Sequence, residues 1–256
     1  HRIKRRFYHH RYAAIPMECR GVVASHDART DSMTVWSSTQ VVHWLRREAA
    51  LTLGLPEARV RAVALDVGGG FGVKGHVYPE DLLLPYLARR IGRPVRWIED
   101  RREHLQSACH SRDQLHEAEI GFDGDGRILA FRDAMMMDCG AWNPIGIGIP
   151  YNTLSHLMGP YRMPHFAASA KVVATNKVPN APYRGAGRPE AAQAVERLMD
   201  LAARELGIEP SEMRRRNLVR ADEMPYAAGI PYRDGEPIVY DSGNYPLAMD
   251  KALEAI

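Results

Sequence analysis

The chain has 256 residues, 45% hydrophobic and 25% charged, with 21 Gly, 17 Pro and 3 Cys. That composition excludes disordered, collagen-like and disulfide-scaffold classes and leaves room for one large or two small domains. The formal net charge is +3, yet Arg2, Lys4, Arg5, Arg6 and Arg11 stand in the first eleven residues with no acid, so the basicity belongs to one terminus. This end is expected to be a charged edge strand or tail, and neither a nucleic-acid nor a membrane partner is expected. No window approaches the roughly 20 apolar residues of a membrane helix. Residues 1–11 are too charged for a secretory signal, so the expected location is cytoplasmic, or periplasmic if a presequence has been removed.

In chain order, Met33 to Ser37 reads as a strand, and Val42, Leu45, Ala49 and Leu53 mark one face of a helix stopped by Gly54 and Pro56. Val60 to Val67 runs apolar as a strand, then the glycine cluster Gly68 to Gly72 leads to a helix over Pro79 to Ile91 and a strand over Pro94 to Ile98. Residues 114–120 and 127–133 alternate around a Gly- and Asp-rich turn, which predicts a hairpin rather than a calcium loop. Met135, Met136 and Met137 read as strand core, and Ala167 to Thr175 as a strand. A helix in register from Ala191 to Leu206 ends at Gly207. Met224 to Asn244 is expected to wander over the surface, and a further helix begins near Pro246. Strands and helices mix without regular alternation, which predicts an α+β fold of mixed sheets with packed helices.

Two clusters carry chemistry. Val67-Gly68-Gly69-Gly70-Phe71-Gly72-Val73-Lys74 sits between a strand and a helix, where bare backbone amides can cradle an anion or a flat cofactor. It fails the phosphate-loop pattern because Val73 precedes Lys74 and no Ser or Thr follows, and it fails GxGxxG as well. A nucleotide-binding module is therefore a weak alternative, and a tight packing turn remains another reading. Pro182-Tyr183-Arg184-Gly185-Ala186-Gly187-Arg188-Pro189 places an arginine among small residues just before a helix.

Taken together, Ser37-Ser38-Thr39-Gln40, the GGGFGVK loop and PYRGAGRPEA resemble the molybdopterin-binding subunit of the xanthine dehydrogenase, aldehyde oxidase and carbon monoxide dehydrogenase family. Pro16-Met17-Glu18-Cys19-Arg20-Gly21 is similar to that family's PMEPRG stretch, with Cys19 in place of proline. The resemblance implies that Gln40 hydrogen-bonds an oxo group on molybdenum, and an amide suits this because it does not titrate. It implies that Phe71 lies beside the metal centre and that Gly69, Gly70 and Gly72 admit the pterin. Arg184, with Gly185 alongside, would contact the cofactor through its backbone.

The departures narrow the chemistry. Gly75 stands where purine-oxidising members carry a substrate-binding glutamate, and Ala186 replaces their stacking phenylalanine. Gly185 occupies the place of the cysteine that holds copper in carbon monoxide oxidisers, so a copper site is disfavoured. The RGAGR form resembles the form II branch, and the implied activity is hydroxylation of an aldehyde or N-heterocycle with water. The implied cofactor is molybdenum-molybdopterin, with a cytosine dinucleotide form open, while FAD and 2Fe-2S clusters would reside on partner chains or domains. The family's base glutamate lies in a GxGE stretch that does not occur here, and Glu236 in Asp234-Gly235-Glu236-Pro237 reads as a turn carboxylate.

The expected organisation is a lead-in segment over 1–30 after a missing hammerhead domain, a first molybdopterin-binding domain over 31–220, and a loop-rich connection over 221–256. The expected partners are a second, base-bearing molybdopterin domain, an iron–sulfur subunit and an FAD subunit, so the chain is expected to be inactive alone. A non-catalytic structural or cofactor-carrying subunit is the alternative. No protein metal ligand is assigned, because the three Cys form no CxxC pair and His104, His110 and His116 show no HExxH or HxH spacing.

Overall fold

The computed structural model describes residues 1–142 and 148–256. Its strands and helices in chain order are β1 (Arg2–Ala13), β2 (Gly21–Asp27), β3 (Ser32–Ser37), α1 (Val42–Leu53), β4 (Val60–Val63), α2 (Pro79–Ile91), β5 (Val95–Ile98) and α3 (Arg101–Ser107). There follow β6 (His110–Phe122), β7 (Ile128–Gly140), α4 (Gly148–His156), β8 (His165–Ala174), α5 (Arg188–Leu206), α6 (Pro210–Arg215), β9 (Tyr226–Pro231), β10 (Pro237–Tyr240) and α7 (Tyr245–Glu254). This is an α+β arrangement of mixed sheets with packed helices.

One sheet has the order β4-β3-β2-β5, with β3 and β4 parallel across the α1 connection. Its core is Val22, Ala24, Met33 and Val35 against Leu45, Ala49, Leu84 and Ala88 of α1 and α2. Gly54 and Gly92 end these helices in the left-handed conformation, which lacks a steric penalty only for glycine. The other sheet has the order β1-β6-β7-β8, with β7 and β8 parallel. Its inward residues, among them Ile3, Ala118, Ile120 and Phe131, meet Ala191, Ala194, Val195, Leu198 and Ala202 of α5. The small residues on α5 let the helix lie close on the sheet, and burial of this face is what orders it. Residues 1–30 supply β1 to one sheet and β2 to the other.

The basic terminus is an edge strand, paired antiparallel with β6 from Arg2↔Gly121 to Ala13↔His110. The hairpin of β6 and β7 is longer than its alternating core, and Asp123 Oδ1 caps its turn by accepting from the backbone N–H of Asp125 and Arg127. Several expectations need correction. The strand expected over Val60 to Val67 stops at Val63, and Leu65 beyond it is 73% exposed. Met135 and Met137 are buried as expected, but Met136 faces outward because strand residues alternate faces. Met224 to Asn244 is not a wandering loop: it holds the β9–β10 hairpin, whose Tyr226 and Tyr240 rings stack. The short helices α3 and α6 and the helix α4 carry too little periodicity to be read in advance.

Asn217 ties the turn end of the hairpin to α6. Its Oδ1 accepts from Ile128 N at 2.7 Å, and its Nδ2 donates to Gly126 O at 2.8 Å and to Met213 O at 2.9 Å, with the residue 2% exposed. Asn217→Ala leaves three buried backbone groups without partners and should lower the unfolding free energy by about 2–3 kcal/mol. A urea midpoint unchanged within error would refute this tie.

Candidate functional site

After β4 the backbone winds through three close turns. Gly69 N donates to Val67 O at 2.8 Å, Val73 N to Gly70 O at 3.0 Å and Gly75 N to Gly72 O at 2.9 Å. A Cβ on Gly70 would land on the side chain of Gln40, and one on Gly72 would land on the carbonyl of Pro182. Gly72 also has φ +100°, so close approach and backbone conformation both demand glycine there. Phe71 itself sits at φ +54°, a strained position for a bulky residue, with its ring 44% exposed.

Gln40 is stapled along this loop. Its backbone N donates to Lys74 O and its Oε1 accepts from Gly72 N, both at 2.9 Å. Its Nε2 finds no acceptor among the described residues, so a non-titrating donor stays available on the exposed side.

The second cluster docks onto the first through Arg184 N, which donates to Phe71 O at 2.9 Å. The Arg184 guanidinium lies 6.0 Å from the Phe71 ring centroid. Gly185, Ala186 and Gly187 all have positive φ, a run that bends the backbone before α5 begins. Arg112 holds this bend from beneath, donating through Nη2 to Arg184 O at 2.9 Å and through Nη1 to Glu190 Oε2 at 3.0 Å. Thus Gln40, Gly69, Gly70, Phe71, Gly72, Arg184 and Gly185 are brought to one place. The N–H groups of Gly70, Phe71 and Gly185 have no partner among the described residues. Open backbone amides and a free amide donor on segments in contact with one another are the kind of groups that can meet an electronegative, flat ligand.

Contacts that the sequence pattern did not reveal support the loop from behind. Lys74 is 1% exposed, and its Nζ donates to Glu18 Oε2 at 2.9 Å and to Ser38 Oγ at 2.7 Å. The same Glu18 oxygen accepts from Gly68 N and from Ser38 Oγ. Desolvation works to raise the Glu18 carboxyl, but the hydrogen bonds from Lys74, Ser38 and Gly68 prevail and hold it below the usual carboxylate range. Behind Lys74, His76 Nε2 lies 3.0 Å from Cys109 Sγ, and Tyr78 OH donates to Val73 O at 2.7 Å. Burial, with help from Arg20, pushes His76 down to about 4, and burial pushes the Cys109 thiol up to about 11. Cys109 is thus a neutral packing thiol at physiological pH. Glu18, Ser38 and Lys74 each lie inside a stretch that the sequence singles out, but nothing in the sequence signalled that they pair; Arg112 and His76 gave no signal at all.

Two expectations follow. Glu18→Ala strands a buried ammonium and should cost about 2 kcal/mol, less than for a fully buried pair because the Glu18 side chain is 42% exposed. Replacing both partners, as Glu18→Gln with Lys74→Met, should cost less than Glu18→Ala alone; a larger loss in the double variant would contradict the pairing. For pH, a His76 held at about 4 against 6.5 in the unfolded chain means the unfolded state binds more protons. That contribution to stability is complete above about pH 6.5 and lost as pH falls toward 4. His9, lowered to about 4 chiefly by burial, adds with the same sign. Denaturant midpoints measured from pH 8 to 4 should fall through this window, and His76→Gln should flatten the slope; an unchanged slope would remove His76 from the account.

A family profile for a molybdopterin cofactor-binding domain matches residues 1–218. The 6-hydroxypseudooxynicotine dehydrogenase complex subunit gamma of Paenarthrobacter nicotinovorans is 39% identical over 259 residues, covering 100% of this chain and 32% of that protein. The carbon monoxide dehydrogenase large chain of Hydrogenophaga pseudoflava is 33% identical, over 99% of this chain and 31% of its own length. Among solved structures, quinoline 2-oxidoreductase from Pseudomonas putida 86 matches with a TM-score of 0.92 and 37% identity, over 100% of this chain and 32% of that one. The chain spans about a third of the length of these relatives. With a family match over most of its length, the chain belongs to the molybdopterin cofactor-binding domain family of molybdenum-dependent oxidoreductases.

Proposed function

We propose that this chain supplies one wall of a molybdenum–pterin site in a hydroxylase that oxidises an N-heterocycle or an aldehyde, with water as the oxygen source. The observation that carries the reading is that the Gln40 segment, the glycine loop and the Arg184 bend are hydrogen-bonded to one another while the N–H groups of Gly70, Phe71 and Gly185 and the Nε2 of Gln40 have no partner among the described residues. The donor chemistry fits the group, and the absence of a Cβ at Gly70 and Gly72 is what lets Gln40 and the Pro182 carbonyl pack directly against the loop that carries these donors. When bound, the molybdenum–pterin group supplies the two-electron acceptor for hydroxylation. This chain's part is to bind and orient it: Gly70, Phe71 and Gly185 through backbone donors, and Gln40 through an amide that stays a donor at every pH. Phe71, exposed beside Arg184, is proposed to cover that face once the group is bound.

The N-heterocycle class is supported by the substrates in the names of relatives, which include a nicotine 6-hydroxylase large subunit as well as the quinoline enzyme. Gly75 and Ala186 leave out the purine-specific side chains, in keeping with a different ring. The base that deprotonates water, the iron–sulfur clusters and the FAD are proposed to come from partner domains or subunits, so the chain is proposed to turn over only in that assembly. A cytosine dinucleotide form of the pterin is part of the same proposal.

The complex pulled down with this chain from its host should contain molybdenum and iron by elemental analysis. Gly70→Val should abolish molybdenum retention, whereas Gln40→Ala should retain molybdenum and lose about 10²–10³-fold in kcat. Full molybdenum content in Gly70→Val would sink the cradle assignment. Unchanged turnover in Gln40→Ala would reduce the chain to a cofactor carrier.

A further inference from the structure

The bend before α5 is tied at three successive carbonyls by side chains from three different elements. Arg184 O takes Nη2 of Arg112 from β6 at 2.9 Å, and Ala186 O takes Nδ2 of Asn152 from α4 at 3.1 Å. Between them, Gly185 O takes both the backbone N and Nη1 of Arg188, the first residue of α5, at 3.2 Å each. The open N–H of Gly185 belongs to the peptide plane of Arg184 O, and the next plane carries Gly185 O and Ala186 N. The two planes meet at the Gly185 Cα, which at φ +107° has no side chain to resist rotation. Holding the donor's direction therefore needs both planes fixed. The second is fixed by Arg188 and by Ala186 N, which donates to Tyr183 O at 2.9 Å.

Arg188 is exposed, and an exposed arginine keeps its rotamer freedom unless other groups hold it. Two groups do. Its Nε donates to His156 Nε2 at 3.1 Å and its Nη2 to Tyr232 OH at 3.2 Å. A backbone carbonyl sets the sense of the first bond: Asn152 O can only accept, so His156 Nδ1, 2.7 Å away, carries the hydrogen and Nε2 of the neutral ring is left to accept. Burial, assisted by the Arg188 charge, holds His156 below the usual histidine value against the pull of its bond to Asn152 O, which keeps the ring neutral at physiological pH. Tyr232 OH accepts from Arg188 and donates to Asn152 Oδ1 at 3.3 Å, which leaves Asn152 Nδ2 for Ala186 O.

Every bond in this ring has one sense, and the ring closes on the bend at Gly185 O and Ala186 O. Tyr232 follows β9 at the start of the hairpin turn, so the β9–β10 hairpin reaches the bend through one hydroxyl. The hairpin has a separate hold on α4, because Tyr151 OH donates to Tyr232 O at 3.2 Å. Loss of the Tyr232 hydroxyl therefore loosens Arg188 and Asn152 without undocking the hairpin.

We propose that Arg188, held by His156 and Tyr232, is a positioning residue that keeps the Gly185 N–H directed at the bound molybdenum–pterin group. The proposal rests on the reading above, in which the open donors of this bend meet that group.

The test compares Arg188→Lys and Tyr232→Phe with wild type in the complex isolated with this chain, by amide hydrogen exchange, Tm and molybdenum content followed during dialysis. In both variants the 184–188 segment should exchange roughly fivefold faster, while the rest of α5 and the glycine loop exchange as in wild type. Molybdenum should leave both variants severalfold faster than wild type, and Tm should move by less than about 3 °C. Guanidinium ion added to Arg188→Ala should restore part of the retention, which it would not do for a loss of packing alone. Tyr226→Phe, which removes a hydroxyl from the same hairpin outside the ring, should match wild type in every readout. Unchanged exchange at 184–188 in both variants overturns the proposal, and so does acceleration spread evenly over α5 and β6. Faster exchange with unchanged loss of molybdenum separates Arg188 from the group and overturns its positioning role. In each of these cases molybdenum in the wild-type complex leaves the reading of the site standing, whereas its absence there overturns that reading and the proposal together.

Discussion

The contact on which the cradle rests is the ion pair between Lys74 Nζ and Glu18 Oε2, 2.9 Å apart with the lysine side chain fully buried. Removing an ammonium from water costs several kcal/mol, so Lys74 can stay inside only while an anion and further acceptors meet it. Glu18 is that anion, and its same oxygen takes the N–H of Gly68 at the start of the glycine loop. The carbonyl of Lys74 then accepts from Gln40 N, which sets the glutamine beside Gly70 and Gly72. One carboxylate thus fixes both the rear of the loop and the residue that faces its front. Without it the loop would keep its own turns and its tie to Arg184 but lose its anchor at Gly68, and preorganised direction is what gives backbone donors their value to a bound group.

Fixing the loop requires unusual backbone, and the unusual backbone is concentrated at the seam between the two sheets. Of the five non-glycine residues at positive φ among the described residues, Phe71, Arg112, Asp113 and Ala186 lie here and Asp31 lies elsewhere, and Gly69, Gly72, Gly185 and Gly187 share that region. Each non-glycine residue there costs about 1–2 kcal/mol, so the surroundings must over-determine it. At Arg112 they do so visibly. Its carbonyl accepts from Asn180 Nδ2 at 2.6 Å, and its guanidinium spans Glu190 and the Arg184 carbonyl. Asp113 is met by Tyr8 OH at 2.6 Å and by Arg11 Nε at 2.8 Å. Strain is therefore held where β6 passes under the Arg184 bend, next to the open amides.

What the sequence made legible has a physical pattern. Glycines that a Cβ would overfill, such as Gly70 and Gly72, appear as a run no helix or strand would tolerate, and α5 declares itself through Ala191, Ala194, Val195, Leu198 and Ala202 at helical spacing. The Asp123 to Gly126 turn was equally plain, because only a few residue types close such a hairpin. The pairing of β1 with β6 was hidden, since Ile3 and Phe7 alone point inward among arginines and histidines and the partner strand lies more than a hundred residues away. The β9–β10 hairpin was masked by prolines and glycines that also describe loops. Arg188, His156 and Tyr232 could not be associated by spacing at all, because the fold, not a local motif, brings them together.

The buried charges follow one rule that links these observations. Arg20 is paired with Glu99, Lys74 with Glu18, and Arg112 with Glu190, and the partners are 79, 56 and 78 residues apart in sequence. Hydrophobic side chains of similar volume would hold these places at least as stably, since desolvation offsets most of the attraction in a buried pair. Apolar contacts, however, tolerate sliding, whereas a guanidinium or ammonium that must meet a particular anion does not. The second oxygen of Glu190 lacks a partner among the described residues, and burial pushes that carboxyl up despite Arg112. A pair this costly is poor stabilisation but a strict registration mark. Three such marks tie the segments that carry the glycine loop and the Arg184 bend to distant strands and helices, and so set the place of backbone groups that no side chain of their own could orient.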